Sequence, residues 1–71
     1  MSWIIVRRTN KSILGIPENR IFEMTEDAGI VTVSIRDTPL KMFVKGHVES
    51  IATNFALGKN SNVIEVKSEL S

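Results

Sequence analysis

The segment I-V-T-V-S-I-R, from Ile30 to Arg36, decides the predicted fold, because apolar and polar residues alternate in it from Val31 onward. The two valines and the second isoleucine would face a core, and the threonine, serine and arginine between them would face solvent. A period of two predicts a β-strand in a sheet with one solvated face.

Working outward, four more strands are predicted, each bounded by turn residues. They are Trp3–Arg8, Ile13–Ile16, Arg20–Thr25 and Leu40–Lys45. In the last of them Leu40, Met42 and Val44 would point inward and the two lysines outward. Phe43 is an exception, because it places a large aromatic side chain on the lysine face.

After Gly46 the apolar period becomes helical, with Val48, Ile51, Ala52 and Phe55 on one side. The final strand is Val63–Val66, where Glu65 and Lys67 would share one face and Ile64 and Val66 the other. The predicted fold is therefore α+β: an antiparallel sheet of five to six short strands, with one amphipathic helix before the last strand. The helix would let the last strand add to an edge that local hairpins do not reach.

A chain of 71 residues is expected to form a single domain, residues 1–71. A core this small makes a homodimer or a tightly bound partner a reasonable expectation. There is no cysteine, and nine Lys and Arg residues against eight Asp and Glu residues give a net charge of +1. The first residues lack the pattern of a signal peptide and no apolar run is long enough to span a membrane, so we expect a cytoplasmic protein.

The sequence offers no recognisable catalytic arrangement. His47 is the only histidine, and zinc sites need three or four ligands, so an exposed residue at the start of the helix is expected. No serine lies in a nucleophile motif and the glycines are too scattered for a phosphate-binding loop. We therefore expect a binding protein that is not an enzyme and has no metal or cofactor.

Two charged groups are candidate binding surfaces. The basic group has an aromatic residue within it, as in sheet-based RNA-binding proteins, and consists of Arg7, Arg8, Lys41, Phe43 and Lys45. Adjacent residues of a strand point to opposite faces, so Arg7 and Arg8 need an edge or a dimer to form one patch. The acidic group could dock on an arginine-rich channel and consists of Glu18, Glu23, Glu26 and Asp27. Either group could instead be ordinary solvated surface.

The C-terminal stretch I-E-V-K-S-E-L-S, Ile64–Ser71, resembles the ending of some small phage-encoded anti-CRISPR proteins that block Cas9. The preceding strands I-V-T-V-S-I-R and L-K-M-F-V-K, followed by the helix, are similar in order to the sheet-then-helix arrangement of one such family. This resemblance implies a phage-encoded inhibitor in the host cytoplasm that binds a CRISPR effector, such as a Cas protein, and blocks its nucleic-acid or nuclease surface.

The N-terminal stretch I-I-V-R-R-T-N-K-S-I-L-G-I, with the later strands and helix, looks like the carbon storage regulator family. Members of that family are dimers that bind GGA-containing mRNA leaders. The resemblance implies that Arg7 and Arg8 match the arginines of the family's first strand and that Lys45 stands near the arginine of its fifth. The alternative function is therefore a small dimeric RNA-binding regulator.

Overall fold

The computed structural model describes residues 1–70; Ser71, the last residue of the anti-CRISPR-like stretch, lies outside them. The strands are β1 (Trp3–Arg7), β2 (Ile13–Pro17), β3 (Ile21–Asp27), β4 (Ile30–Ile35), β5 (Lys41–Lys45) and β6 (Ser61–Ser68). A 3₁₀ helix, Glu18–Arg20, joins β2 to β3, and helix α1 (Val48–Ala56) precedes β6. The predicted α+β class, with one helix before the last strand, is confirmed.

The strands form one six-stranded sheet in the order β2-β1-β6-β5-β4-β3. The sheet is mixed, because β6 runs parallel to β1 and antiparallel to β5. The last strand was expected to lie at an outer edge of the sheet, and this prediction is wrong. It lies inside the sheet, where it joins the N-terminal hairpin to the β3–β4–β5 meander. Helix α1 lies in the connection from β5 to β6, which are antiparallel neighbours, whereas the parallel strands β1 and β6 are joined through all the elements between them.

The sheet curls around a single hydrophobic core. Its two edge strands, β2 and β3, are connected by only the three residues of the 3₁₀ helix, which brings the edges towards each other. Helix α1 contributes one fully buried side chain, Ile51. The remaining core residues come from the strands: Ile4, Val6, Ile16, Ile21, Val31, Val33, Ile35, Met42 and Val44.

The side chains that point away from this core form what we call the outer face. It includes Trp3, Ile5 and Arg7 of β1, Ile64 and Lys67 of β6, Lys41, Phe43 and Lys45 of β5, and Glu23, Thr25 and Asp27 of β3. The predicted alternation is confirmed in β4 and, for Met42 and Val44, in β5. Leu40 is 40 % exposed and precedes β5, so its predicted inward position is wrong.

Strand β6 departs from simple alternation. Glu65 lies opposite Val44 and Lys67 lies opposite Phe43, so Val66 is an extra residue in a β-bulge. Glu65 faces the core because it continues the inward alternation of Ser61 and Val63, and it is 6 % exposed. Ile64 and Val66 are 54 % and 39 % exposed. The prediction that Glu65 and Lys67 share a face is wrong, since the bulge separates them.

Candidate nucleic-acid interface

The outer face brings together four of the five residues in the predicted basic group. Arg7 lies beside Ile64 of β6, and Ile64 lies beside Lys45 of β5. Two strand spacings put the backbones of Arg7 and Lys45 about 10 Å apart. Lys41 and Phe43 follow Lys45 along the same side of β5, and both lysines are exposed.

Phe43 lies between its two strand lysines and is partly exposed. Lys67, which was not predicted as a site residue, places its Nζ 4.9 Å from the centre of the Phe43 ring. This distance is within the range of a cation–π interaction. The bulge at Val66 puts Lys67 on this face, and alternation along the sequence alone had paired it with Glu65.

Arg8 is not part of this surface, as the expectation of opposite faces for Arg7 and Arg8 predicted. Its Nε–H donates to Glu65 Oε2 at 3.2 Å, and its Nη2 donates to the Leu70 carbonyl at 2.9 Å. Glu65 Oε1 also accepts hydrogen bonds from the N–H and the hydroxyl of Thr9, both at 3.1 Å. The Thr9 N–H, together with the Thr9 hydroxyl and Arg8, lowers the pKa of Glu65 despite its burial. Arg8 therefore stabilises the packing of the C-terminal segment and is not available on the outer face.

The predicted acidic group is divided among three places. Glu23 and Asp27 lie on the outer face of β3, an edge strand. Glu18 begins the 3₁₀ helix. Glu26 lies on the opposite side of β3 from Glu23 and Asp27, where its Oε1 accepts the Val48 N–H at 3.0 Å. The four carboxylates do not form one surface.

Glu26 and His47 together cap the start of α1. His47 Nδ1 lies 2.9 Å from Glu26 Oε2, and the hydrogen bonds from His47 and Val48 lower the pKa of Glu26. The His47 side chain is 65 % exposed, which confirms the predicted exposed position at the helix start. Among residues 1–70, no group of three or more His, Cys, Asp or Glu side chains converges as a metal site.

Apolar side chains occupy the outer face next to Arg7. Trp3, Ile13 and Ile64 are 39 %, 60 % and 54 % exposed. The Trp3 ring lies over Gly15, where an added Cβ would stand 3.1 Å from Trp3 Cε3. The sequence analysis missed this apolar cluster, because the parallel β1–β6 pairing that makes Arg7 and Ile64 neighbours was not predicted.

The chain matches no protein-family model, and neither the curated proteins nor the solved structures contain a significant match to it. The anti-CRISPR and carbon storage regulator resemblances stay predictions. Within residues 1–70 no helix has the length and apolar character that crossing a membrane requires.

Proposed function

We propose that the protein binds single-stranded RNA on its outer face and acts as a small RNA-binding regulator without chemistry of its own. The observation that supports this proposal is that Arg7, Lys41, Lys45 and Lys67 lie on the same exposed side of the sheet as Phe43, with Lys67 against its ring. The acidic group that would support a different partner is divided among three places, whereas four of the five residues of the predicted basic group share one face.

The arrangement suits the two general requirements of single-strand binding. An aromatic ring offers a stacking surface that accepts any base, and cations on both sides contact the phosphates. Lys67 covers the Phe43 ring in the free protein. A base that stacks on Phe43 would displace the Lys67 ammonium, which is then available to a neighbouring phosphate.

The salt dependence of binding tests the proposal. Four cations that each neutralise one phosphate give a slope of log K against log salt of about −2.8, since each single-strand contact contributes about −0.7. The probe is a fluorescein-labelled RNA hairpin with GGA in its loop, with oligouridylate as a second probe. Fluorescence anisotropy over a series of salt concentrations measures the slope.

The double variant Arg7→Ala, Lys45→Ala should reduce the slope to about −1.4, because two phosphate contacts are lost. Lys59→Ala removes one positive charge beyond the end of α1, outside the sheet, and should leave the slope unchanged. The proposal fails if neither RNA binds at low salt, or if the double variant and Lys59→Ala behave alike.

Stacking is tested separately by Phe43→Leu, which keeps an apolar side chain and removes the aromatic ring. Base stacking on an aromatic residue contributes about 1–3 kcal/mol, so the RNA affinity should fall by about fivefold or more. Thermal unfolding checks that the variant is folded. An unchanged affinity in a folded variant would remove Phe43 from the interface.

A second candidate function is the phage-encoded inhibitor that binds a CRISPR effector. The observation that favours it is the acidic outer side of edge strand β3, where Glu23 and Asp27 flank Thr25 and the adjacent Phe22 is 67 % exposed. An exposed aromatic side chain beside carboxylates is suited to a protein surface rich in arginine.

The inhibitor candidate predicts that the protein reduces DNA cleavage by Cas9 and that Glu23→Lys, Asp27→Lys abolishes the reduction. Glu49→Lys, an equal change of charge per residue on α1, is the control. The two candidate functions use different parts of the outer face, strands β1, β6 and β5 for RNA and edge strand β3 for the effector, so Arg7 and Lys45 variants should leave inhibition intact. Undiminished cleavage at saturating protein would remove this candidate.

A further inference from the structure

Strand β2 has one unpaired edge, and the hydrogen bonds at its two ends show which backbone groups face outward. Arg8 N–H donates to the Ser12 carbonyl at 2.9 Å, and Glu18 N–H donates to the Ser2 carbonyl at 2.9 Å. In an antiparallel pair, the residues that bond across alternate with residues that face away. The even-numbered residues of β2 therefore bond to β1.

It follows that Ile13, Gly15 and Pro17 direct their backbone groups away from β1. The free edge offers the N–H and carbonyl groups of Ile13 and Gly15. Pro17 has no N–H, and its carbonyl accepts the first hydrogen bond of the 3₁₀ helix that it caps. Edge strand β3 does not take up these groups, because within residues 1–70 its ladder partner is β4. An extended segment could take up this unused ladder.

A groove runs along the free edge of β2 and has a predominantly apolar lining. Its far side is formed by β4, the following turn and the C-terminal segment. The residues that line it are Leu14, Ile16, Pro17, Arg20, Ile35 and Leu70. Its volume of about 380 Å³ is within the range of ligand-binding clefts.

Positive charge at one end of the groove indicates that an occupant would carry a negative charge there. Arg20 lies beside Pro17 in the groove wall, and among residues 1–70 no carboxylate lies within 4.0 Å of its guanidinium. The nearby Arg36 donates from Nε to the Asn19 carbonyl at 3.0 Å and adds a second positive charge at this end. The groove thus combines unpaired strand donors, apolar walls and a basic end.

From these features we infer that the groove binds an extended segment of a partner protein. The segment adds a strand to β2, places aliphatic side chains between Leu14, Ile16 and Ile35, and presents a carboxylate to Arg20. This inference is independent of the proposed RNA interface, because the basic outer face contributes none of the groove's lining residues.

The test uses a peptide of about six residues, the usual length of a strand, that alternates valine with threonine and ends in aspartate. A second peptide ends in lysine instead. Titration of ¹⁵N-labelled protein should shift and protect the amides of Ile13 and Gly15, while the Leu14 amide, already bonded to β1, keeps its exchange rate. The aspartate peptide should bind more tightly than the lysine peptide.

Arg20→Glu should weaken binding of the aspartate peptide by about fivefold to tenfold, because an ion pair at the surface is replaced by a repulsion. Lys59→Glu, the same charge change outside the groove, should have no effect. No binding of either peptide at about 1 mM, or binding that Arg20→Glu leaves unaltered, overturns the inference. Protection of Ile13 and Gly15 that depends on protein concentration, without peptide, would also overturn it by showing that a second copy occupies the edge.

Discussion

The buried carboxylate of Glu65 gives the sharpest test of the fold. Its side chain is 3 % exposed and accepts three hydrogen bonds, one from Arg8 and two from Thr9. The change Glu65→Gln keeps the shape of the side chain and removes its charge. The glutamine NH₂ would face either the Arg8 Nε–H or the Thr9 donors, and two donors do not form a hydrogen bond.

The size of the effect follows from the bonds that are lost. A hydrogen bond to a charged group contributes about 1.5–3 kcal/mol, and a buried donor left without a partner costs about 1–3 kcal/mol. Some relaxation of Arg8 towards solvent reduces the sum, so we expect a loss of about 2–4 kcal/mol in the free energy of unfolding. For a domain of this size, that is a fall in Tm of about 10–30 °C.

Urea denaturation followed by the fluorescence of Trp3, the single tryptophan, measures the loss. Glu69→Gln is the matched control, because the exposed Glu69 accepts the Lys41 N–H at 2.9 Å and an amide oxygen can accept the same bond. The pKa of Glu65 is lowered in the folded protein, so its contribution is present above the ordinary glutamate pKa and is lost as the pH falls through the lowered value. The difference between wild type and Glu65→Gln should therefore shrink in acid.

A loss at pH 7 of less than about 0.5 kcal/mol, similar to that of Glu69→Gln, would refute the reasoning, since that is the range of ordinary surface substitutions. It would mean that Glu65 is hydrated and that its hydrogen bonds to Arg8 and Thr9 do not hold it against the core.

Three further outcomes are expected. Ala28→Gly should stabilise the protein by about 1 kcal/mol in urea denaturation, because Ala28 has a φ of 52° in the β3–β4 turn and only glycine adopts this region without strain; a loss of stability would contradict this. Deletion of Val66 should leave the protein folded by circular dichroism, since it removes the bulged residue and keeps Lys67 opposite Phe43, whereas an unfolded chain would show that the bulge is required. Protection of the Val48 amide, measured as its exchange rate relative to an unstructured amide at the same pH, should fall as the pH drops through the lowered pKa of Glu26, because the helix cap is protonated; in Glu26→Gln that loss of protection with pH should be absent.

The sequence predicted the elements of the fold well where one face of a strand meets a core. In β4, Val31, Val33 and Ile35 alternate with polar residues. This alternation predicts the strand directly, because each side chain faces either the core or the other side of the sheet. The change of period after Gly46 located α1 for the same reason. The helix-before-last-strand order did not reveal where β6 pairs, because the connection through α1 returns the chain to β5, its antiparallel neighbour, and not to a distant edge.

What the sequence did not reveal depends on long-range pairing. Nothing local distinguishes a final strand at an edge from one inserted beside β1, and the burial of Glu65 is visible only once Arg8 and Thr9 are its neighbours. A single extra residue, Val66, reverses the faces of everything after it. For the candidate site, the common face of Arg7 and Lys45 likewise required the parallel pairing of β1 with β6.

The proposed RNA interface and the proposed peptide groove lie close together, so a ligand bound at one site could change the affinity of the other. Arg7 is paired with Ile13 of β2, so a strand added beyond β2 would have its backbone about 10 Å from Arg7. A charge on such a strand interacts with Arg7 by about 0.4 kcal/mol in water at that distance, and physiological salt screens most of this. Bound peptide should therefore change the dissociation constant for RNA by less than about twofold, and by reciprocity RNA should change peptide binding equally little. A larger mutual effect would place the two ligands on one shared surface and would require the groove and the outer face to be treated as a single site.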